Sequence, residues 1–252
     1  MAGLNTYSNH APKSEWLSGF FEHGSDFFRA SSLGSEQIPF FKKFLHDAEL
    51  LEDEKLTATG QLCQTLGWNT ADAQGIILNN LVANNRQIAW YVKNLVVGQA
   101  LSREGFKMKL YEEGQKKDGI TSIIGAFSRL SLLPLGTVLK FSQVYKDGKE
   151  TYYLRTPCAI DNPLVLLYAL YTFAERCNGF WEFSLTRLLQ HDIDQDGISP
   201  TEIFGLTRED MQPLLLGLAA NYPAFIGAAF THDLDKITLN SDKTSADVLD
   251  LF

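Results

Sequence analysis

Asp192, Asp194 and Asp196 alternate along the chain and run into Gly197. Alternate carboxylates converge on one point when a glycine allows a sharp turn behind them, which is how the first half of an EF-hand loop gathers ligands for a hard cation. The second half of that pattern departs. The bidentate Glu belongs at the twelfth loop position, where Ile203 stands, and Glu202 falls one residue early. Two readings are open: a weak calcium-type site on Asp192, Asp194 and Asp196, or an acidic solvated loop leading into a helix capped by Ser199. The second is preferred, because a site of that design binds at roughly 10⁻⁴–10⁻³ M and stands mostly empty at resting cytoplasmic calcium.

Side-chain amides form a second group, with Asn79, Asn80, Asn84, Asn85 and Asn94 packed into one stretch. Asn reads adenine edges in a DNA groove, and it equally caps helices and ties loops together. Candidate DNA contacts are therefore Asn79, Asn80, Asn84 and Arg86, with Lys146 and Lys149 further on, while the structural role of the amides stays open beside that reading. The formal net charge of −8, from 22 basic and 30 acidic residues, disfavours a protein that coats nucleic acid, because such binding is driven by Lys and Arg neutralising phosphates. Lys107, Lys109, Lys116, Lys117, Lys140, Lys146 and Lys149 concentrate in the middle third and mark where a local contact would form.

Self-sufficient catalysis is not indicated. The chain has no Walker loop, no dinucleotide-binding glycine fingerprint, no His-Glu-x-x-His and no serine in a nucleophile elbow. Cys63, Cys158 and Cys177 are far apart and form no Cys-x-x-Cys pair, so they read as buried reduced thiols, and the five histidines are scattered. No cofactor is expected. No window reaches the roughly 18 uncharged apolar residues of a membrane span, and Met1 to Lys13 is polar, so a cytoplasmic location is expected.

The elements that must position these residues are mainly helical. The aromatic run from Glu15 to Phe28 carries Trp16, Phe20, Phe21, Phe27 and Phe28, too much apolar surface to stand alone, and residues 1–35 read as a docking segment. Ile38, Phe41, Phe44, Leu45 and Ala48 fall at helical steps, ended by a turn at Leu51 to Lys55. Thr57 to Leu66 reads as a short helix, Gly67-Trp68-Asn69-Thr70 as a tight turn in which Asn69 or Thr70 is placed to cap the following helix, and that helix runs to about Val82, the spacing of a helix-turn-helix. Further helices are expected at Asn85 to Val97 and Gly119 to Leu132. Strands at Thr137 to Tyr145 and Glu150 to Thr156, joined through Asp147-Gly148, close a first winged-helix-like module over residues 36–157.

Residues 158–252 repeat that order. Helices are expected at Leu164 to Arg176 and Ser184 to Gln190, at Pro200 behind its Ser199 cap, and from Thr207 to Ala220. Strands at Phe225 to Thr231 and Lys236 to Leu239 and a closing helix from Thr244 complete the second module. Trp68, Trp90, Leu167, Tyr171 and Phe204 are the expected core anchors. The fold class is thus mainly α with small β-hairpins, in tandem winged-helix-like modules.

The run from Ile198 to Leu206 (ISPTEIFGL), Tyr222-Pro223-Ala224-Phe225-Ile226, and the ending from Leu234 to Leu239 and Lys243 to Leu251 resemble a family of uncharacterised proteins. Members are encoded beside, or fused to, phosphoadenosine-phosphosulfate-reductase-like enzymes. Leu66-Gly67-Trp68 and the stretch from Asn80 to Trp90 resemble its amino-terminal half, so the likeness covers most of the chain. The resemblance implies a helper of DNA phosphorothioate modification or phage defence. It transfers no catalytic residue, and the reductase-like domain itself is absent. A non-catalytic accessory protein is expected, one that contacts duplex DNA and docks a reductase-like or nuclease partner. The alternative is a purely structural assembly subunit.

Overall fold

The computed structural model describes residues 3–190, 197–231 and 234–252. The chain divides into two compact units, Met1–Ala159 and Ile160–Phe252, each mainly helical with small antiparallel sheets.

The first unit begins with α1 (Ser14–His23) and, after a 3₁₀ turn at Gly24–Asp26, α2 (Phe27–Ala30). The rings of Trp16, Phe20 and Phe21 are buried, and those of Phe27 and Phe28 are half-buried. Two of these rings meet Phe41 of α3 (Gln37–Asp47) edge-on, Phe20 at 6.2 Å and 83° and Phe27 at 5.8 Å and 79°, the geometry in which ring edges meet ring faces favourably. The N-terminal residues therefore share one core with α3.

The turn expected at Leu51 to Lys55 is a small ribbon, β1 (Leu51–Glu52) paired with β2 (Lys55–Leu56). Asp53 and Glu54 both take positive φ, 47° and 62°, as a two-residue hairpin loop of matching twist requires. Next come α4 (Ala58–Leu66), capped by the Thr57 hydroxyl, and α5 (Ala71–Asn84), capped by Thr70. Gly60 has a packing reason, since a Cβ there would sit 2.4 Å from the Leu50 carbonyl oxygen. From Ala73 to Val82, α5 is buried on every side, the mark of a central helix. Helix α6 (Arg86–Asn94) starts at an Asn85 cap.

The rest of this unit is a short strand, three helices and a hairpin. β3 (Leu101–Ser102) leads into α7 (Arg103–Glu112), capped by Ser102, and then α8 (Lys117–Leu130). Pro134–Thr137 forms the one-turn helix α9, so the strand expected from Thr137 begins only at Ser142. The strands β4 (Ser142–Asp147) and β5 (Glu150–Arg155) pair with Asp147 opposite Glu150, leaving Gly148 at φ 59° to open a two-residue turn. The sheet order is β3-β5-β4.

The second unit is centred on α10 (Pro163–Arg176), buried continuously from Leu164 to Tyr171. Short strand β6 (Glu182–Phe183), α11 (Leu185–Gln190), α12 (Pro200–Phe204) and α13 (Arg208–Asn221) precede the strands β7 (Ile226–Phe230) and β8 (Asp235–Leu239). The sheet order, β6-β8-β7, is that of the first unit. Tyr171 ties α10 to the hairpin by donating to the carbonyls of Phe225 (2.8 Å) and Asn240 (3.1 Å). Helix α14 (Ser245–Leu249) closes the unit with a Thr244–Asp247 capping box and Ser245 held by Glu175.

Of the expected core anchors, Trp90, Leu167, Tyr171 and Phe204 are buried. Trp68 is only half-buried and stacks on Phe21 at 5.9 Å and 6°. Among the described residues no helix is long and apolar enough to cross a membrane.

Candidate nucleic-acid interface

The asparagines expected at a DNA groove are placed by the end of α3 against α5. Asn79 and Asn80 are 2% and 0% exposed. Asn79 donates to Asn80, and Asn80 to the Ala48 carbonyl, both at 3.3 Å. Side chains this deep reach no base edge without unfolding α5, so the groove-reading role assigned to them is corrected to a structural one. Asn84 is exposed, yet its amide is already bonded to the Asp47 carbonyl (3.0 Å) and the Glu49 carboxylate (2.9 Å).

Asp47 is the hub of this cluster. Its carboxylate accepts from Asn85 Nδ2 at 2.6 Å, Lys43 at 3.0 Å and the Tyr7 hydroxyl at 3.3 Å. Buried charge is tolerated only with such a set of donors. Burial, with the Asp47 carboxylate beside it, pushes the Tyr7 hydroxyl well above the usual tyrosine range. Asn85 has a second task, its Oδ1 accepting from the Gln87 and Ile88 amides at the start of α6.

The basic candidates lie on the surface. Lys146 and Lys149 are exposed at the β4–β5 turn, interleaved with the acidic Asp147 and Glu150. On the same hairpin Tyr145 and Tyr152 stack as a cross-strand pair at 5.5 Å and 17°. Arg86 is the first residue of α6 and is exposed. It borders an open cleft of about 1140 Å³ shared with Trp90 and Lys93 of α6, Glu113, Gln115 and Lys116 before α8, and Asp118 and Gly119 in its first turn.

Beyond its exposed first turn, helix α8 is largely covered. Its inner face is apolar, and the N-terminal residues run along the outside. Leu4 N–H donates to Gln115 (3.2 Å), Ser122 donates to Asn9 (2.9 Å), and Arg129 donates to the carbonyls of Asn9 and Ala11. Tyr7 and Ala11 are fully buried in this arrangement. No periodicity announces such a covering, because the pairings span more than a hundred residues; the only sequence trace is the polar, asparagine-bearing start.

The expected carboxylate site, Asp192, Asp194 and Asp196, lies outside the described residues. Gly197 is described, and a Cβ there would sit 2.7 Å from the Phe173 ring. Among the described residues no three His, Cys, Asp or Glu side chains form a metal-binding group. Cys63, Cys158 and Cys177 are buried and in no disulfide, and burial pushes the thiols of the first two up to about 12, far from the range of a reactive thiolate.

In the second unit, Asp235 at the start of β8 is the polar junction. It accepts from the Leu185 amide (2.8 Å), the Thr186 amide (3.0 Å) and hydroxyl, and Arg208 (3.0 Å). It thereby joins the starts of α11 and α13 to the hairpin. Partial burial works against ionisation there, but those hydrogen bonds outweigh it and hold the carboxyl down at about 2.

No family model and no curated protein matches the sequence. Two solved structures match over 100% of this chain and 88% of their own: one of SspB, with TM-score 0.72 and 13% identity, and one of magnesium ion-bound SspB, with TM-score 0.69 and 12% identity. At those identities the likeness is one of fold: this chain is folded like SspB.

Proposed function

We propose that this chain is a non-catalytic accessory protein of a DNA-modification or phage-defence system. It contacts duplex DNA through winged-helix-like modules and docks a phosphoadenosine-phosphosulfate-reductase-like or nuclease subunit. The observation that carries this reading is the repeated order of elements. In each unit a helix, a short strand, further helices and a hairpin succeed one another, and the short strand pairs with the second hairpin strand, as β3-β5-β4 and β6-β8-β7. A winged helix is laid out in that way, with the hairpin as its wing. On this reading the helix-turn-helix pair of the first module is α7–α8, not the α4–α5 pair its Gly67 turn suggested.

The resemblance to proteins of phosphorothioate and defence loci supports the setting, and the fold shared with SspB is consistent with it. Because α8 is largely covered by the N-terminal residues, DNA contact in the first module falls to the β4–β5 wing, with Lys146 and Lys149, and to Arg86. The acid–base mixture on that wing suits limited, salt-sensitive contact. Electrophoretic shifts on duplex DNA, alone and with the product of a neighbouring gene, test the proposal. A shift in either case supports it, and none in both removes DNA from it.

The rival reading, a protein-assembly subunit without DNA contact, is favoured by apolar side chains left on the surface. Met108 and Tyr111 of α7 are 51% and 44% exposed, one helical step apart. The same binding measurement separates the two. The carboxylates Asp192, Asp194 and Asp196 are retained as a conditional cation site on their spacing, and one SspB structure is magnesium-bound.

A further inference from the structure

Charge is divided unequally between the two units. Met1–Ala159 carries 17 Lys and Arg against 16 Asp and Glu, a formal +1, whereas Ile160–Phe252 carries 5 against 14, a formal −9. The acidic balance of the chain therefore belongs to the second unit. Phosphates are neutralised by Lys and Arg, and this unit has few to offer.

In the second unit α13 is the long helix before the hairpin, as α8 is in the first, and a winged helix sends that helix into the DNA groove. Residues 209–235, which hold α13 beyond its first residue, β7 and the hairpin turn, contain no Lys or Arg. Arg208 at the start of α13 is already engaged, donating to the Thr186 hydroxyl (2.6 Å) and to Asp235 (3.0 Å). What α13 turns outward is Glu209, Pro213, Leu216 and Ala220, all exposed and at steps of four, three and four, while Met211, Leu215 and Leu218 are buried. Leu216 is 44% exposed. Beside it, a Cβ at Gly217 would meet open space. Glycine weakens a helix interior and suits a place where another backbone approaches closely, and the unit's own packing gives no reason for this one.

We infer that the outer face of α13 docks the protein partner, and that the partner presents an amphipathic helix whose apolar stripe is flanked by Lys and Arg. Apolar anchors at three- and four-residue steps are met by a helix laid along them. The formal −9 of the unit that carries them favours and steers a basic partner. The same charge disfavours a second copy, which would bring one such unit against another. This division of labour rests on the reading of the chain as an accessory protein: DNA contact stays with the first unit, and protein contact falls to the second.

The test is a calorimetric titration of the full chain with the purified reductase-like or nuclease product of a neighbouring gene. Wild type is compared with Leu216→Ala and with Leu216→Arg combined with Ala220→Arg. The wild-type complex forms and weakens as salt is raised. Leu216→Ala weakens it several-fold, and the double variant about tenfold or more, because arginines there replace apolar contact with charge that repels a basic partner. Melting temperatures stay unchanged, since both positions are exposed, and Leu216→Ala leaves duplex affinity where it was. A complex indifferent to both substitutions overturns the inference and leaves partner docking in place. No complex with the wild type removes the docking half of the proposed function, and this inference with it. A dimer of the full chain, seen by sedimentation and dissolved by the double variant, assigns the face to a second copy and overturns it too. So does duplex affinity lost in Leu216→Ala, which would return α13 to the groove.

Discussion

Replacing Asn85 with Ala takes away two things at once. It removes the N-cap of α6, whose Oδ1 accepts from the amides of Gln87 (3.0 Å) and Ile88 (3.2 Å). It also removes the 2.6 Å bond that Nδ2 donates to the Asp47 carboxylate. Loss of such a cap costs about 1 kcal/mol. A hydrogen bond to a charged group contributes about 1.5–3 kcal/mol, and here the acceptor left short is a buried carboxylate. The two losses share one residue and do not simply add, so about 2–4 kcal/mol is expected. In a chain of this size that lowers the melting temperature by roughly 5–15 °C. Thermal unfolding followed by circular dichroism reads it. Asn85→Asp sharpens the test, because it keeps the cap oxygen but sets a second carboxylate against Asp47. That variant should be destabilised at neutral pH by like-charge repulsion. An Asn85→Ala variant that melts with the wild type but loses DNA affinity would refute the structural account of the amide cluster and return these residues to groove reading.

The wing predicts that reversing charge at Lys146 and Lys149 weakens duplex binding several-fold without moving the melting temperature, since exposed turn charges contribute little to folding; equal affinity in a gel shift moves the contact elsewhere. Leu167 is fully buried in α10, so Leu167→Ala should cost about 2–5 kcal/mol in urea unfolding, and an unchanged midpoint would contradict the core assignment. With its carboxyl held down at about 2, below the roughly 3.9 of an unfolded Asp, Asp235 contributes stability that is present above about pH 4 and lost as the pH falls through about 2. Asp235→Ala should therefore cost about 1 kcal/mol near neutrality and converge with the wild type in acid; a gap that persists at low pH would place the effect elsewhere. Calorimetric titration with calcium and magnesium should find binding in roughly the 10⁻⁴–10⁻³ M range, and no heat up to several times that concentration would reduce Asp192, Asp194 and Asp196 to an acidic loop.

Where a helix carried both an apolar stripe and a capping residue, the sequence was sufficient. Ser199 and Thr207 stand at the N-caps expected of them, Thr70 rather than Asn69 caps α5, and Thr57, read as the first residue of its helix, is the cap before it. Helix α7 was missed because only Phe106 and Leu110 face inward, while Met108 and Tyr111 spend their apolar surface on solvent and blur the period. The strand assigned from Thr137 was wrong at its start because Pro134 opens a helical turn instead. The candidate site was less legible still. Asparagine type and spacing are the same for a groove reader and for a buried tie, and what separates them is depth, which depends on α3 packing against α5. Likewise the covering of α8 rests on Asn9 meeting Ser122 and Arg129, and no local pattern encodes such a meeting. The Lys146 and Lys149 turn was readable because a two-residue hairpin loop is specified by its own residues.

The central claim, that this acidic chain contacts duplex DNA through a few basic groups, is tested most directly by the salt dependence of binding. Fluorescence anisotropy of a labelled duplex, titrated with the full chain from low to physiological salt, gives the slope of log affinity against log salt. Each neutralised phosphate contributes roughly 0.9 to that slope, so contact through Lys146, Lys149 and Arg86 predicts a slope of about −2 to −3, reduced when the two wing lysines are reversed. Binding that is absent at low salt, with or without the neighbouring gene product, would contradict it, and so would a slope untouched by the wing substitutions.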